Sequence, residues 1–115
     1  MTATMGEVAD PADATSAALC QADADGNRVA SRLTAEQASA VGLSVSETAT
    51  TAPDAITYPD RVTTLQLFDA AGSLLSLDAL DDGSFLFYDG DAARVWTPGA
   101  ELRAELEEAA ALPLP

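Results

Sequence analysis

The sequence predicts an α+β domain: a four-stranded antiparallel meander over about residues 61–97, a C-terminal helix packed on it, and short helical and strand segments before it. Three observations predict this class. The large apolar side chains crowd into the second half, where residues 56–115 hold eleven leucines and all six aromatics. Turn chemistry recurs between those apolar runs, at Asp69-Ala-Ala-Gly72, Asp81-Asp82-Gly83 and Asp89-Gly90-Asp91, and Asp-Gly suits the backbone twist of a tight hairpin. After Pro98-Gly99 the pattern turns helical, with Leu102 and Leu106 four residues apart on one face.

The elements follow in order. Residues 1–13 are small, polar and acidic and predict a flexible arm, leaving 14–115 as one domain with most of its core in 56–112. Asp13 or Thr15 caps a short predicted helix over Ala14–Asp23, with Ala17, Ala18 and Leu19 turned inward. Asp23-Ala-Asp-Gly-Asn27 is a turn, and Val29–Leu33 a short strand. Thr34 and Gln37 stand at the two positions of a capping box, which starts a helix over Ala35–Val41 that Gly42 would stop. Leu43–Thr51 alternates at its start and predicts a further strand. Pro53 and Asp54 mark a loop.

The meander strands are expected at Arg61–Phe68, Ser73–Leu80, Ser84–Tyr88 and Ala92–Thr97. Phe85 and Phe87 share one face of the third, Leu86 and Tyr88 the other, so that strand is expected to be covered on both sides. The helix over residues 101–111 can pair Arg103 with Glu107 one turn on.

Charge bounds the function. The chain carries 19 acids against 5 arginines, with no lysine and no histidine, for a formal charge of −14. Both halves are acidic, so the charge is global and not a tail. Nucleic-acid binding needs cations that displace counterions, and anionic membranes need the same. Neither partner fits this chain; a basic protein surface or a divalent cation does. Arginine without lysine, beside so much alanine, is also what a GC-rich bacterial coding bias produces, and acidity serves solubility. The N-terminus lacks a basic and then apolar leader, and no apolar run approaches the ~20 residues of a bilayer span. The expected location is cytoplasmic.

Catalytic chemistry finds few carriers. No histidine offers a base or a transition-metal ligand, and Cys20, the lone cysteine, forms neither a disulfide nor a zinc site within the chain. Cys20 reads as a small apolar filler. Asp23, Asp25 and Asn27 resemble the opening of a calcium loop, but Arg28 stands where glycine belongs and Thr34 where the closing glutamate belongs. There is no G-x-S-x-G elbow and no glycine-rich phosphate loop. No catalytic, cofactor or metal residue is therefore assigned.

The candidate interface residues are Asp81, Asp82, Asp89 and Asp91 on the turns, with Arg94 and Trp96 on one face of the last strand. Successive turns of a meander fall at opposite ends, which argues against one shared carboxylate site. Trp96 is expected under the C-terminal helix unless its strand is a free edge. The expected function is a non-catalytic acidic protein that binds a basic partner surface: an inhibitor, an immunity-type or an accessory protein. One alternative is an accessory subunit whose first half orders on its partner; another is a small enzyme or ligand carrier. The oligomeric state is not legible in the sequence.

Overall fold

Ser16–Ala22 is a strand, not the expected helix, and it changes the architecture. The computed structural model describes residues 10–59, 62–112 and 114. In it, β1 (Ser16–Ala22) pairs on one side with β2 (Arg28–Arg32) and on the other with β4 (Thr63–Asp69). The fold is α+β with one antiparallel sheet of seven strands, in the order β2-β1-β4-β5-β6-β7-β3. The remaining members are β3 (Thr50–Thr51), β5 (Gly72–Ala79), β6 (Phe85–Asp89) and β7 (Ala92–Trp96). The expected meander is present as β4 to β7, so the four-stranded description falls three strands short.

The physical reason for the misread strand is alanine. Within Ser-Ala-Ala-Leu-Cys-Gln-Ala, Ala17, Leu19 and Gln21 are buried while the alternate residues are half-buried. That is a period of two, hidden because alanine occupies both faces.

The helix α1 runs Ala35–Thr48, well past the expected stop and through the segment read as a strand. Its start is as expected. Thr34 Oγ1 accepts from the Gln37 backbone N–H at 3.1 Å, and Gln37 Oε1 accepts from the Thr34 N–H at 2.9 Å. The buried residues Ala38, Val41, Gly42 and Val45 fall at helical spacing.

Gly42 therefore sits inside the helix, and its lack of a side chain has a use. A Cβ there would lie 2.1 Å from the Pro11 carbonyl oxygen and 3.0 Å from the Ala14 Cβ. A 3-10 turn over Pro11–Asp13 packs onto α1 at this point. Asp10 fastens it twice, accepting from the Ala12 N–H at 3.0 Å and from the Ser46 hydroxyl at 3.1 Å. The flexible arm expected over 1–13 thus ends in a seated turn, and its first nine residues lie outside the described ones.

Gly42→Ala is predicted to destabilise the fold by about 1–2 kcal/mol. Overpacking costs ~1–3 kcal/mol and outweighs the gain in helix propensity of ~1 kcal/mol. Thermal unfolding checks this, and a higher Tm for the variant would contradict the close contact.

Both helices lie on one side of the sheet. The core there joins Ala17, Leu19, Leu65, Leu67, Leu77, Phe85, Phe87 and Trp96 of the sheet to Ala38, Val41 and Val45 of α1 and Leu106 of α2 (Ala100–Ala109). A register shift at Leu67/Phe68 adds a residue to β5 and brings both Leu74 and Leu75 against this core. The chain beyond α2 is held by Gln21, a buried side chain of β1. Its Nε2 donates to the Leu112 carbonyl at 2.9 Å, and its Oε1 accepts from the Leu112 N–H at 3.1 Å. One amide side chain thus imitates a strand partner at the end of the molecule.

The opposite side of the sheet is covered only in part. Leu86 is 2% exposed yet stands outside the helix-side core. Its register partners are Asp78 and Val95, so it points away from the helices. The connection from β3 to β4 leaves beside β7, where the Ala52 N–H donates to Ala93, and reaches the β5–β6 turn, where the Asp81 N–H donates to Thr57. This connection runs on the side of Leu86, so β6 is covered on both faces at Phe85 to Phe87, but Tyr88, expected to share that cover, is 62% exposed. Among the described residues no helix lies over the same side of β2, β1 and β4.

Candidate functional site

The described carboxylates lie at the two ends of the sheet, on the helices and on the 3-10 turn, with Asp54 in the β3–β4 connection and Asp78 on the sheet face away from the helices. Antiparallel pairing puts the β1–β2 turn (Asp23, Asp25) and the β5–β6 turn (Asp81, Asp82) at one end. Asp69, Asp89 and Asp91 share the other end. The four turn aspartates singled out in the sequence are therefore split two and two. Glu36 and Glu47 stand on α1, and Glu101, Glu105, Glu107 and Glu108 on α2. None of the described carboxylate residues is buried. Among the described residues the one ion pair joins Arg103 Nε to Glu107 at 3.5 Å.

Three of the turn aspartates are tied up locally, Asp69 by accepting from the Ala71 N–H at 2.8 Å and the Gly72 N–H at 3.0 Å. The Asp82 carboxylate accepts from the Ser84 hydroxyl at 2.5 Å and from the Ser84 N–H at 2.9 Å. These bonds, the hydroxyl first, hold its pKa below the ordinary carboxylate value. Asp23 accepts from the Asn27 N–H at 2.8 Å and the Asp25 N–H at 2.9 Å. Its pKa is lowered too, chiefly by the Asn27 bond. The segment that opens like a calcium loop spends the Asp23 carboxylate on its own backbone. Among the described residues no three acidic or thiol side chains gather closely enough to hold a metal ion.

Arg94 and Trp96 lie on one face of β7, as the alternation requires, and that face is the helix side. Trp96 is a core residue, 0% exposed, and not a surface candidate. Its ring packs at 5.5 Å between centroids against Phe85, directly across the ladder, and its Nε1–H donates to Ser44 Oγ of α1 at 2.9 Å. The bond places α1 against it, a neighbour the local sequence does not announce, while Leu106 of α2 belongs to the same core. The strand of Trp96 is not a free edge, since β3 pairs along it. Arg94 Nη2 donates to the Ala49 carbonyl at 2.7 Å. Ala49 is the C-cap of α1, so a cation sits where the helix end is negative.

Arg94 and Asp89 also line a cleft of about 260 Å³ that sequence reasoning missed, together with Val45, Ser46, Leu75 and Phe87. It lies between the end of α1 and β5–β7. No local pattern signals it, because its walls come from four separate elements. Ser46 donates its hydroxyl to Asp10, and Arg94 spends one amino group on α1. The cleft is smaller than the ~300–1,000 Å³ that a drug-sized ligand occupies.

No helix among the described residues is long and apolar enough to cross a membrane. Comparison with protein-family models, curated proteins and solved structures gave no match to this chain.

Proposed function

We propose that this is a non-catalytic binding protein whose carboxylates engage a basic surface on a protein partner. The observation that carries the reading is the uncompensated charge. None of the described carboxylates is buried, most of them stand at the ends of the sheet and along two helices, and a single ion pair is found among them. Such a surface repels itself and gains most from a partner that brings cations. Long-range attraction then raises the on-rate, and rim charges fix orientation.

The α2 face supports this best. Glu101, Glu105 and Glu108 are exposed there. Arg103 reaches from the opposite side of α2 to the Gly83 carbonyl at 3.5 Å, so the Asp81–Asp82 turn lies toward Arg103 and Glu107 and forms a second acidic area. The reading also accounts for the local use of Asp82, whose bonds to Ser84 keep its charge while fixing its direction. An accessory subunit whose first half orders on its partner has less support, because β1 and α1 already pack within the chain.

The test is capture from native extract on the immobilised protein and on its Glu101→Gln, Glu105→Gln, Glu108→Gln variant. A basic protein retained by the native chain and released by the triple variant is the expected result. Equal retention on both would reject the α2 face, and capture of acidic partners only would reject the reading.

A further inference from the structure

We infer that the sheet face opposite the helices is a self-complementary surface that joins two copies of this chain. Residues opposed across a ladder share a side of the sheet. On this side one row reads Ala30, Cys20, Thr64, Asp78, across β2, β1, β4 and β5. Arg28 and Arg32 flank Ala30 on the same side of β2, one step below and one above.

The charges on this face differ from those elsewhere. Over these four strands it holds one carboxylate, Asp78, and two exposed arginines, on a molecule of charge −14. It also gathers apolar surface. Of the four large apolar side chains left exposed among the described residues, Val62 and Tyr88 point to this side and Tyr58 lies beside Asp78.

A twofold axis parallel to the strands and midway between β1 and β4 superposes β2 of one copy on β5 of the other. Each Asp78 then falls opposite the second copy's Ala30, between its Arg28 and Arg32. Both pairs of charges are satisfied by one operation, as an isologous interface requires. Side-chain size matches as well. The β1 row is small (Ala18, Cys20, Ala22) and meets the larger β4 row (Gln66, Thr64, Val62) of the other copy.

Edge-to-edge pairing of two β2 strands is disfavoured, since antiparallel pairing about Ala30 would set Arg28 against Arg32. The face-to-face footprint is about four strands by seven residues, roughly 450 Å² per copy. That is below the ~800 Å² of a stable complex, so the dimer is weak and forms only at high concentration.

The native cysteine supplies the test. The two Cys20 residues would sit at equal height on either side of the axis, about 11 Å apart between Cα atoms. That is too far for a disulfide but within reach of a short bismaleimide. We expect a covalent dimer from the native chain, none from Cys20→Ala, and at least a tenfold loss with Asp78→Arg. The triple variant Asp78→Arg, Arg28→Asp, Arg32→Asp should restore it, which separates charge pairing from misfolding. Salt should strengthen the dimer, because the two copies repel at long range. A monomer by sedimentation equilibrium at about 1 mM chain, or cross-linking indifferent to Asp78→Arg, would overturn the inference. The inference stands apart from the partner reading, whose binding weakens with salt.

Discussion

Trp96→Ala is expected to cost about 3–5 kcal/mol, the largest loss of any single substitution considered for this fold. Trp96 is fully buried, spans the space between the sheet and α1, and stacks on Phe85. Its removal leaves a cavity between β7 and α1 and strands the Ser44 hydroxyl. A domain of this size has ~5–15 kcal/mol of stability in all, so the variant should unfold roughly 10–25 °C lower or fail to fold at 37 °C. Two milder variants separate packing from hydrogen bonding. Ser44→Ala leaves the indole N–H unpartnered and should cost ~1–2 kcal/mol, while Trp96→Phe loses that bond and part of the volume and should fall between. Thermal unfolding of the three gives the order. If Trp96→Ala and Ser44→Ala cost the same, the cavity argument is wrong.

Gln21→Leu is the second large effect, at about 1–3 kcal/mol, even though it makes the core more apolar. The substitution removes both bonds to Leu112, whose N–H and carbonyl must then find water. The residues after α2 should leave the sheet to do so. Gln21→Glu should cost more near neutral pH, because it keeps an acceptor for the Leu112 N–H, faces the Leu112 carbonyl with no donor, and buries a charge. Amide exchange at Leu112 reports the release directly, alongside the loss of Tm. Protection of Leu112 unchanged in Gln21→Leu would mean that the tail is held by something else.

Both effects sit where local sequence says least. The Thr34–Gln37 capping box, the turns at Asp81 and Asp89 and the Arg103–Glu107 pair are short-range chemistry, and each is found where the residues predict it. What lay beyond reading has two physical causes. The first is alanine, which obscures the period in both directions. Ala17, Leu19 and Gln21 mark a strand only once the intervening Ala18 and Ala22 are discounted, and Leu43/Val45 imitate a strand inside a helix whose real stripe is Ala38, Val41, Gly42 and Val45.

The second cause is distance along the chain. β1 pairs with β4 across more than forty residues, and no turn signal announces such a pairing. Every surface that matters inherits this. Trp96 is expected under the C-terminal helix, or at an interface if its strand is an edge, because nothing in its neighbourhood points to Ser44. Asp78 and Arg28 share a face only through β1 and β4. The separation of Asp81 and Asp82 from Asp89 and Asp91 was legible, since it needs only the order of consecutive hairpins.

The account's central claim is that unpaired carboxylates drive binding to a basic protein surface. Its most direct measurement is the dissociation constant of the captured partner as a function of salt. Between about 0.05 M and about 0.5 M salt the Debye length falls from roughly 14 Å to about 4 Å, and affinity should drop by about tenfold or more, mostly through the on-rate. Affinity that holds constant or rises over that range would contradict the claim, and would point to an interface built on apolar contacts instead.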